Sequence, residues 1–316
     1  VGVMLAYQGF GVWTLVIQSL TSNLLRVVLL WIFAHWKPIP HFSKNSFTTM
    51  FSFGSRLLLS SLLHTTYTNL YSLVIGRRFA PVELGLYNRA TTIAQFPSNN
   101  LAAVIVRAIY PIQCRIQDDS PALKDLFIKY LRMSCYIIFP LMTILCVLAE
   151  PLVKIILTEK WLPAVPLIQI LCLAYMWDPV MKINNSLLNV KGRSDYFLYA
   201  EIIKKIVALI ILIVTLQFNV RIMCLGLILY ALADMLIISL YVRKTISITI
   251  KEQIKALFPI LMLSAILGLV SYITTMLTNS PWLQLLGGFT TGSITYLGIS
   301  YYFNSNELNT LLHFKL

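Results

Sequence analysis

The side chains in this sequence that could do chemistry are polar and ionisable residues set inside long apolar segments. Between Phe51 and Gly76 they recur every four positions, which places them on one face of a helix: Arg56, Ser60, His64, Thr68 and Ser72. Tyr67, Asn69 and Tyr71 widen that face. Such side chains are costly at membrane depth, so the pattern predicts a helix that lines a hydrated cavity. A buried polar seam that joins neighbouring helices is the alternative.

Further ionisable residues fall inside other apolar segments. Asp178 and Lys182 stand four positions apart, a spacing that permits an ion pair on one helix. Two interpretations stand for this pair, a structural contact and a role in substrate binding. Arg26 has no acidic neighbour, and arginine suits contact with phosphate, so it is a candidate for binding an anionic ligand. Asp234 is a candidate proton or sodium site, or the partner of an arginine.

The motifs of soluble enzymes are absent from the sequence. It contains no P-loop, no GxSxG, no HExxH and no dinucleotide-binding fingerprint, and its five cysteines include no CxxC pair. We therefore predict no catalytic residue, no bound metal and no cofactor. Without a nucleotide site, any transport would depend on an ion gradient, the membrane potential or the gradient of the substrate itself.

The composition indicates whether these residues belong to a soluble protein or to a membrane protein. Of 316 residues, 58% are hydrophobic and only 12% are charged, with a mean hydropathy of +0.77. A soluble surface needs more polar cover, so a soluble enzyme, a disordered chain and a disulfide scaffold are excluded. The net charge of +13 then indicates anchoring at a membrane surface, and nucleic acid is not expected as a partner.

The elements that must position the polar residues are membrane-spanning helices, each about 20 residues long. The sequence predicts an all-α integral membrane protein with about nine transmembrane helices. The expected spans are 10–34, 51–76, 90–112, 133–150, 164–190, 196–216, 222–242, 256–277 and 282–303. Interruptions are expected at Pro97, at Phe139-Pro140 and at Asp178-Pro179. In the last span, a GxxxG spacing that includes Gly288 and Gly292 predicts close helix packing.

The connecting segments alternate in charge. Fifteen Lys and Arg residues, with Lys204 and Lys205 among them, lie in segments 35–50, 113–132, 191–205 and 243–255 and in the tail. The opposite side carries six: Arg77, Arg78, Arg89, Lys154, Lys160 and Arg221. Positive residues favour the cytoplasmic side, so this bias predicts a cytoplasmic C-terminus.

A family resemblance covers about the first 195 residues. The residues that carry it follow one another as the turn Gly9-Phe10-Gly11-Val12-Trp13, Phe53-Gly54, Ile75-Gly76, Leu84-Gly85-Leu86-Tyr87-Asn88-Arg89-Ala90, Pro97, Arg107 through Pro111, Phe139-Pro140, Lys160-Trp161 and Gly192-Arg193. In these motifs the sequence resembles the polysaccharide-transporter (Wzx-type) flippases of the multidrug/oligosaccharidyl-lipid/polysaccharide exporter superfamily. Beyond residue 195 the likeness is one of hydropathy alone.

The resemblance implies a 14-helix protein with two six-helix lobes around a central cavity, of which this sequence would be the C-terminal part. Residues 1–34 would end the N-lobe, 35–50 would be a cytoplasmic linker, 51–242 the C-lobe, and 243–316 two extra helices and a short cytoplasmic tail. The sequence begins without Met inside an apolar piece, so we expect an N-terminal truncation of about five helices.

The resemblance also implies export of an undecaprenyl-pyrophosphate-linked oligosaccharide across the bacterial inner membrane for lipopolysaccharide or other surface polysaccharide. The bilayer, the lipid-linked glycan and other polysaccharide assembly proteins would be its partners. Arg56, His64, Asn69 and Tyr71 fit the binding of pyrophosphate and sugar, with Ser60, Thr68, Arg26 and Lys182 as further candidates. The alternatives are a multidrug or peptidoglycan-precursor exporter, a membrane glycan polymerase or acyltransferase, and a non-functional remnant.

Overall fold

The computed structural model describes residues 2–7, 9, 13–33, 42–303 and 307, and the secondary structure among them is entirely helical. The chain divides into two compact units, Val1–Met50 and Phe51–Leu316. The predicted linker is described only from residue 42 onward, and most of the predicted C-terminal tail lies outside the described residues. The expected division at residue 242 stays a prediction.

The first unit contains α1 (Gly2–Tyr7), α2 (Trp13–Phe33) and the first turns of α3 (Lys44–Arg78). The rest of α3 and all later helices belong to the second unit. These are α4 (Pro81–Arg115), α5 (Ser120–Val147), α6 (Ala149–Ile156), a 3₁₀ helix (Glu159–Ala164), α7 (Val165–Tyr175), α8 (Asp178–Val190), α9 (Ser194–Thr215), α10 (Val220–Ile246), α11 (Ile250–Met276) and α12 (Pro281–Tyr302).

The described residues of the nine predicted spans fall almost entirely on helices, but membrane-spanning character is not uniform among them. Within the described part of the chain, five helical segments are long and apolar enough to cross a membrane: Val16–Phe33, Ser120–Val147, Glu159–Val190, Val220–Ile246 and Ile250–Met276. Helices α3, α4, α9 and α12 fall outside this group, so the count of nine crossings is not confirmed. Polar side chains lower the hydropathy of α3 and α4, whereas α9 is strongly apolar apart from its charged residues, which include Glu201, Lys204 and Lys205.

Several helices begin where the sequence supplies a side chain to cap the free backbone N–H groups. Asp119 accepts a hydrogen bond from the Ala122 N–H at the start of α5, and Asn219 accepts one from the Ile222 N–H at the start of α10. Thr249 and Glu252 form a reciprocal capping box at the start of α11. These caps fix the helix starts to within a residue.

Helix α5 forms the centre of the second unit. One face of this helix is fully buried and contributes Leu123, Phe127, Leu131, Cys135 and Ile138. The spacing of three or four residues is that of one helical stripe. α5 packs against α4 and α7 on one side and against α11 on the other, and α10 packs against α7, α8 and α9. Helix α7 contacts both α5 and α10, so it joins the helices that pack on α5 to those that pack on α10.

The expected interruptions at Pro97 and Pro140 are wrong, because α4 and α5 run through them without a break. Proline at position 140 removes the N–H that would bond the Tyr136 carbonyl four residues earlier. The hydroxyl of Tyr296 on α12 donates to that carbonyl at 2.8 Å, so the freed acceptor is satisfied by a neighbouring helix.

The expected interruption at Asp178-Pro179 is confirmed, because α7 ends at Tyr175 and α8 begins at Asp178. Pro179 stands in the first turn of α8, where no intrahelical donor is needed. The Tyr175 carbonyl, four residues before the proline, accepts a hydrogen bond from Ser98 Oγ of α4 at 2.7 Å. The break is thus held in place from α4.

The predicted close packing at the glycines of the last span is confirmed. A side chain at Gly288 would meet Leu148 Cδ2 at 2.7 Å, and one at Gly292 would collide with Ser271 Oγ of α11. Ser271 Oγ also donates to the Gly288 carbonyl at 2.8 Å. Small residues bring α11 and α12 close enough for hydroxyl-to-backbone contacts.

Candidate functional site

A cavity of about 610 Å³ opens among α3, α4, the α7–α8 break, α9 and α10, all within the second unit. Its wall is rich in hydroxyl, amide and ionisable side chains. The polar and ionisable side chains of the wall include Ser60, His64, Thr68, Asn69, Tyr71, Gln95, Asn99, Asp178, Lys182, Asn185, Glu201, Tyr230 and Asp234. Apolar helices must pay to keep these groups in their interior, so the wall is built for a polar ligand or for water.

Helix α3 forms one wall of the cavity, and tyrosine rings attach it to the other helices. The buried rings of Tyr67 and Tyr71 lie 5.4 Å apart in an edge-to-face arrangement. Tyr67 contacts Tyr230 of α10 at 5.3 Å, and Tyr71 stacks on Tyr87 of α4 at 6.4 Å. Thr68 and Asn69, between these two tyrosines, and His64, about one turn before them, are exposed at the cavity.

A buried ionic cluster stands behind α3, where α9 meets α10. The Lys204 ammonium is fully buried and lies 2.7 Å from Asp234 Oδ1 and 3.0 Å from Glu201 Oε1. Two carboxylates therefore share one central ammonium, which offsets most of the cost of burying them. The partner of Asp234 is this lysine of α9, and its charge is already balanced within the second unit.

Lys205 is the second cation of this cluster and the one nearest the cavity. Its Nζ donates to the Tyr230 hydroxyl at 2.7 Å and lies 3.6 Å from Glu201 Oε2 and 3.4 Å from His64 Nδ1. The ammonium also stands 4.8 Å from the ring centroid of Tyr67. Lys205 is itself buried and is not part of the cavity wall, so its contacts hold the lining residues His64, Tyr67 and Tyr230 in place.

The opposite wall, where α4 meets α8, carries a second polar group. Asp178 Oδ2 lies 3.2 Å from Ser98 Oγ. Lys182 Nζ donates to the backbone carbonyl of Asn99 at 2.9 Å and also contacts its side-chain oxygen. No Asp178–Lys182 ion pair occurs among the described residues, although their spacing permits one. Lys182 instead links α8 to α4 and retains donor capacity on the cavity side.

The structure brings together most of the residues that the sequence singles out. Those that line the cavity are Ser60, His64, Thr68, Asn69, Tyr71, Asp178, Lys182 and Asp234. Arg56 does not line it and is exposed one turn before Ser60. Arg26 is exposed on α2, in the first unit. Among the described residues, the Lys or Arg that lines the cavity is therefore Lys182 of α8, and Lys205 of α9 lies behind the lining residues His64 and Tyr230.

The assignment of Lys204 and Lys205 to a cytoplasmic connecting segment is wrong. Both lie well inside α9 and are buried, with Glu201 as a partner of each. Glu201 is not among the residues that the sequence singles out, although its spacing of three and four residues from the two lysines is that of helical ion pairs. Lys191 and Arg193 of the adjacent connecting segment make the two lysines look like a continuation of that segment, which hides this spacing.

A bidentate ion pair forms at the start of α9, directly after the connection from α8. Arg193 Nε and Nη2 donate to the two Asp195 carboxylate oxygens at 2.9 and 2.8 Å. This contact lowers the pKa of Asp195 below its ordinary value. The guanidinium also stacks on the Tyr196 ring at 3.5 Å, which fixes the orientation of the first turn.

The chemistry of the cavity wall suits the binding of a polar ligand. Within the described residues, no group of three or more His, Cys, Asp or Glu side chains is arranged to hold a metal ion. Hydroxyl and amide groups suit sugars, the tyrosine rings offer flat apolar faces, and Lys182 suits a phosphate.

These helices and this cavity define an all-α, multi-pass membrane protein. The fold matches a solved structure of the lipid II flippase MurJ in an inward closed conformation, with a TM-score of 0.67 over 96% of this chain and 64% of that chain, at 16% identity. The chain belongs to the family described as polysaccharide biosynthesis protein, whose model matches residues 1–166.

Curated relatives agree with this assignment. The chain is 32% identical over 184 residues to the lipopolysaccharide biosynthesis protein WzxC of Escherichia coli, which is 58% of this chain and 37% of that protein. It is 29% identical over 164 residues to the teichuronic acid biosynthesis protein TuaB of Bacillus subtilis, which is 52% of this chain and 34% of that protein. The chain thus matches about a third of the length of these relatives.

Proposed function

We propose that the protein carries a lipid-linked oligosaccharide across the bacterial inner membrane for surface polysaccharide or lipopolysaccharide biosynthesis. It acts as a transporter without a catalytic step. The substrate would be held through an undecaprenyl-linked pyrophosphate and would change leaflets by alternating access. In the same proposal, residues 51–242 form a six-helix lobe, 243–316 supply two accessory helices and a cytoplasmic tail, and other polysaccharide assembly proteins act as partners.

The observation that carries this proposal is a hydroxyl- and amide-rich cavity, with Lys182 in its wall, inside the membrane helices of a polysaccharide biosynthesis protein. A hydrophobic drug would not require so many polar groups at this depth. A glycan would be recognised by groups such as Asn69, Gln95 and Asn185, and its phosphate by Lys182.

The test is the substitution Lys182→Gln in the complete protein, expressed in cells whose surface glycan depends on it. We expect surface glycan to fall at least about tenfold while the membrane level of the protein is unchanged, because a charge-assisted contact to phosphate contributes about 1.5–3 kcal/mol. Lys160→Gln is the matched control, since Lys160 is exposed in the 3₁₀ helix and lies outside the cavity wall.

Normal export by Lys182→Gln would contradict the assignment of this residue to substrate binding. The precursor that accumulates in a deletion strain separates the alternatives. Accumulation of the surface-glycan precursor supports the proposal, accumulation of a peptidoglycan precursor assigns the protein to that pathway, and altered drug sensitivity alone indicates a multidrug exporter. Chain extension by the purified protein would indicate a glycan polymerase.

A further inference from the structure

A second hollow lies away from the cavity, on the surfaces of α5, α11 and α12. It consists of two adjoining depressions of about 900 and 480 Å³ that share Arg132 and Pro259. The larger depression is lined by α5 and α11, and the smaller continues between α5, α11 and α12. We call the two together the α11 groove.

One end of the α11 groove is basic. Its lining contains Lys124, Arg132, Lys251 and Lys255. Lys124 is paired with Glu252 at 2.6 Å, and Arg132 is paired with Glu307. Lys251 and Lys255 are exposed, one turn apart on α11, and make no ion pair among the described residues. The end of the groove therefore keeps two uncompensated positive charges.

The remainder of the groove is mainly apolar, apart from Tyr136, Ser300 and the Arg132–Glu307 pair. Its lining includes Phe258, Met262 and Ile266 of α11 and Ile299 and Phe303 of α12. Phe258 is 57% exposed and Phe303 is 75% exposed, so the track is open toward the surrounding medium. Lys255 and Ile266 are eleven residues apart, which is about 16 Å along a helix. One leaflet of the hydrocarbon core is about 15 Å deep, so the track has the length of one leaflet.

We propose that the α11 groove binds an anionic phospholipid of the bilayer, with the phosphate on Lys251 and Lys255 and an acyl chain along the apolar track. Positive charge at the headgroup level and apolar surface below it complement the two parts of such a lipid. A free phosphate would make no use of the track, and an undecaprenyl chain is longer than the track. This proposal is independent of the function proposed for the cavity.

The test is a binding titration of the purified full chain by native mass spectrometry, with phosphatidylglycerol and phosphatidylcholine of equal chain length. We expect tighter binding of phosphatidylglycerol, and at least about a tenfold loss of its affinity in the double variant Lys251→Gln/Lys255→Gln, because each cation near a membrane surface contributes about 1 kcal/mol. The matched control is Arg115→Gln/Lys129→Gln, which removes two exposed charges outside the groove. The control variant should bind phosphatidylglycerol like the parent protein.

A second variant tests the track without changing charge. Ile266→Trp places a bulky ring at a half-exposed position of the track and should weaken phosphatidylglycerol binding severalfold while both lysines remain. Competition identifies the source of the phosphate. Glycerol phosphate at millimolar concentration should not displace the lipid. Displacement by it, displacement by equimolar polyprenyl phosphate, equal affinity for both phospholipids, or equal loss in the control variant would each overturn the proposal.

Discussion

At the scale of single residues, Lys204 is the group on which the buried cluster most depends. It is fully buried and within 3.0 Å of both carboxylates, whereas Lys205 has a single carboxylate partner at a longer distance. Lys204→Met keeps the approximate length of the side chain and removes the charge. It leaves Asp234 buried without a counter-charge, so we expect a loss of about 3–5 kcal/mol in the free energy of unfolding.

The measurement is unfolding of the purified protein in a mixed-micelle denaturant titration. Lys154→Met is the matched control, because Lys154 pairs with a half-exposed Glu150 on α6 and should cost about 0.5 kcal/mol or less. Adding Asp234→Asn to Lys204→Met should recover part of the lost stability, since Glu201 keeps Lys205 as its partner. Equal costs for the two single variants would show that the buried cluster does not hold α9 to α10.

The sequence predicts those site residues that follow a pattern within one helix, and it misses those that are defined by contacts between helices. The polar face of α3 is visible in the sequence because a four-residue repeat is a property of one helix. The pairing of Asp234 with Lys204 joins positions thirty apart on two helices, and no local pattern reports such a contact. The exposure of Arg56 is likewise set by where the cavity ends and not by its place in the repeat.

At the scale of elements, the packing of α12 on α11 depends on the absence of a side chain at Gly292. Gly292→Leu would force a side chain into Ser271 and Leu267, so we expect a loss of about 1–3 kcal/mol in stability. Gly298→Leu is the matched control on the same helix, because nothing lies within 4 Å of that position. There, leucine should be neutral or slightly stabilising, as it favours helix more than glycine does.

Both stabilities would be measured in the same denaturant titration. A loss for Gly292→Leu without a loss for Gly298→Leu would establish that Gly292 acts through contact and not through helix propensity. A similar loss at both positions would contradict that.

The prolines show how far the course of a helix can be predicted from its own sequence. Pro140 looks like a helix breaker in the sequence, but the Tyr296 hydroxyl replaces the missing hydrogen bond from another helix. Helix continuity through a proline is thus a tertiary property, which no local sequence pattern reports.

At the scale of the whole molecule, the charge bias predicts which ends of the helices face the cytoplasm. Once Lys204 and Lys205 are assigned to the interior, thirteen positive residues remain on the predicted cytoplasmic side against six on the other. The bias therefore survives the correction, because the two lysines balance acids inside the second unit instead of anchoring a connecting segment.

This orientation can be tested by single cysteines placed in a variant from which the five native cysteines have been removed. Gln217→Cys and Asn279→Cys stand in exposed connections that are predicted to face outward, and Asp118→Cys in one predicted to face the cytoplasm. In spheroplasts, in which the inner membrane is still sealed, a membrane-impermeant maleimide should label the first two and spare the third. After permeabilisation it should label all three, which controls for reactivity. The reverse pattern would invert the topology, and it would also place Lys251 and Lys255 of the α11 groove against the outer leaflet.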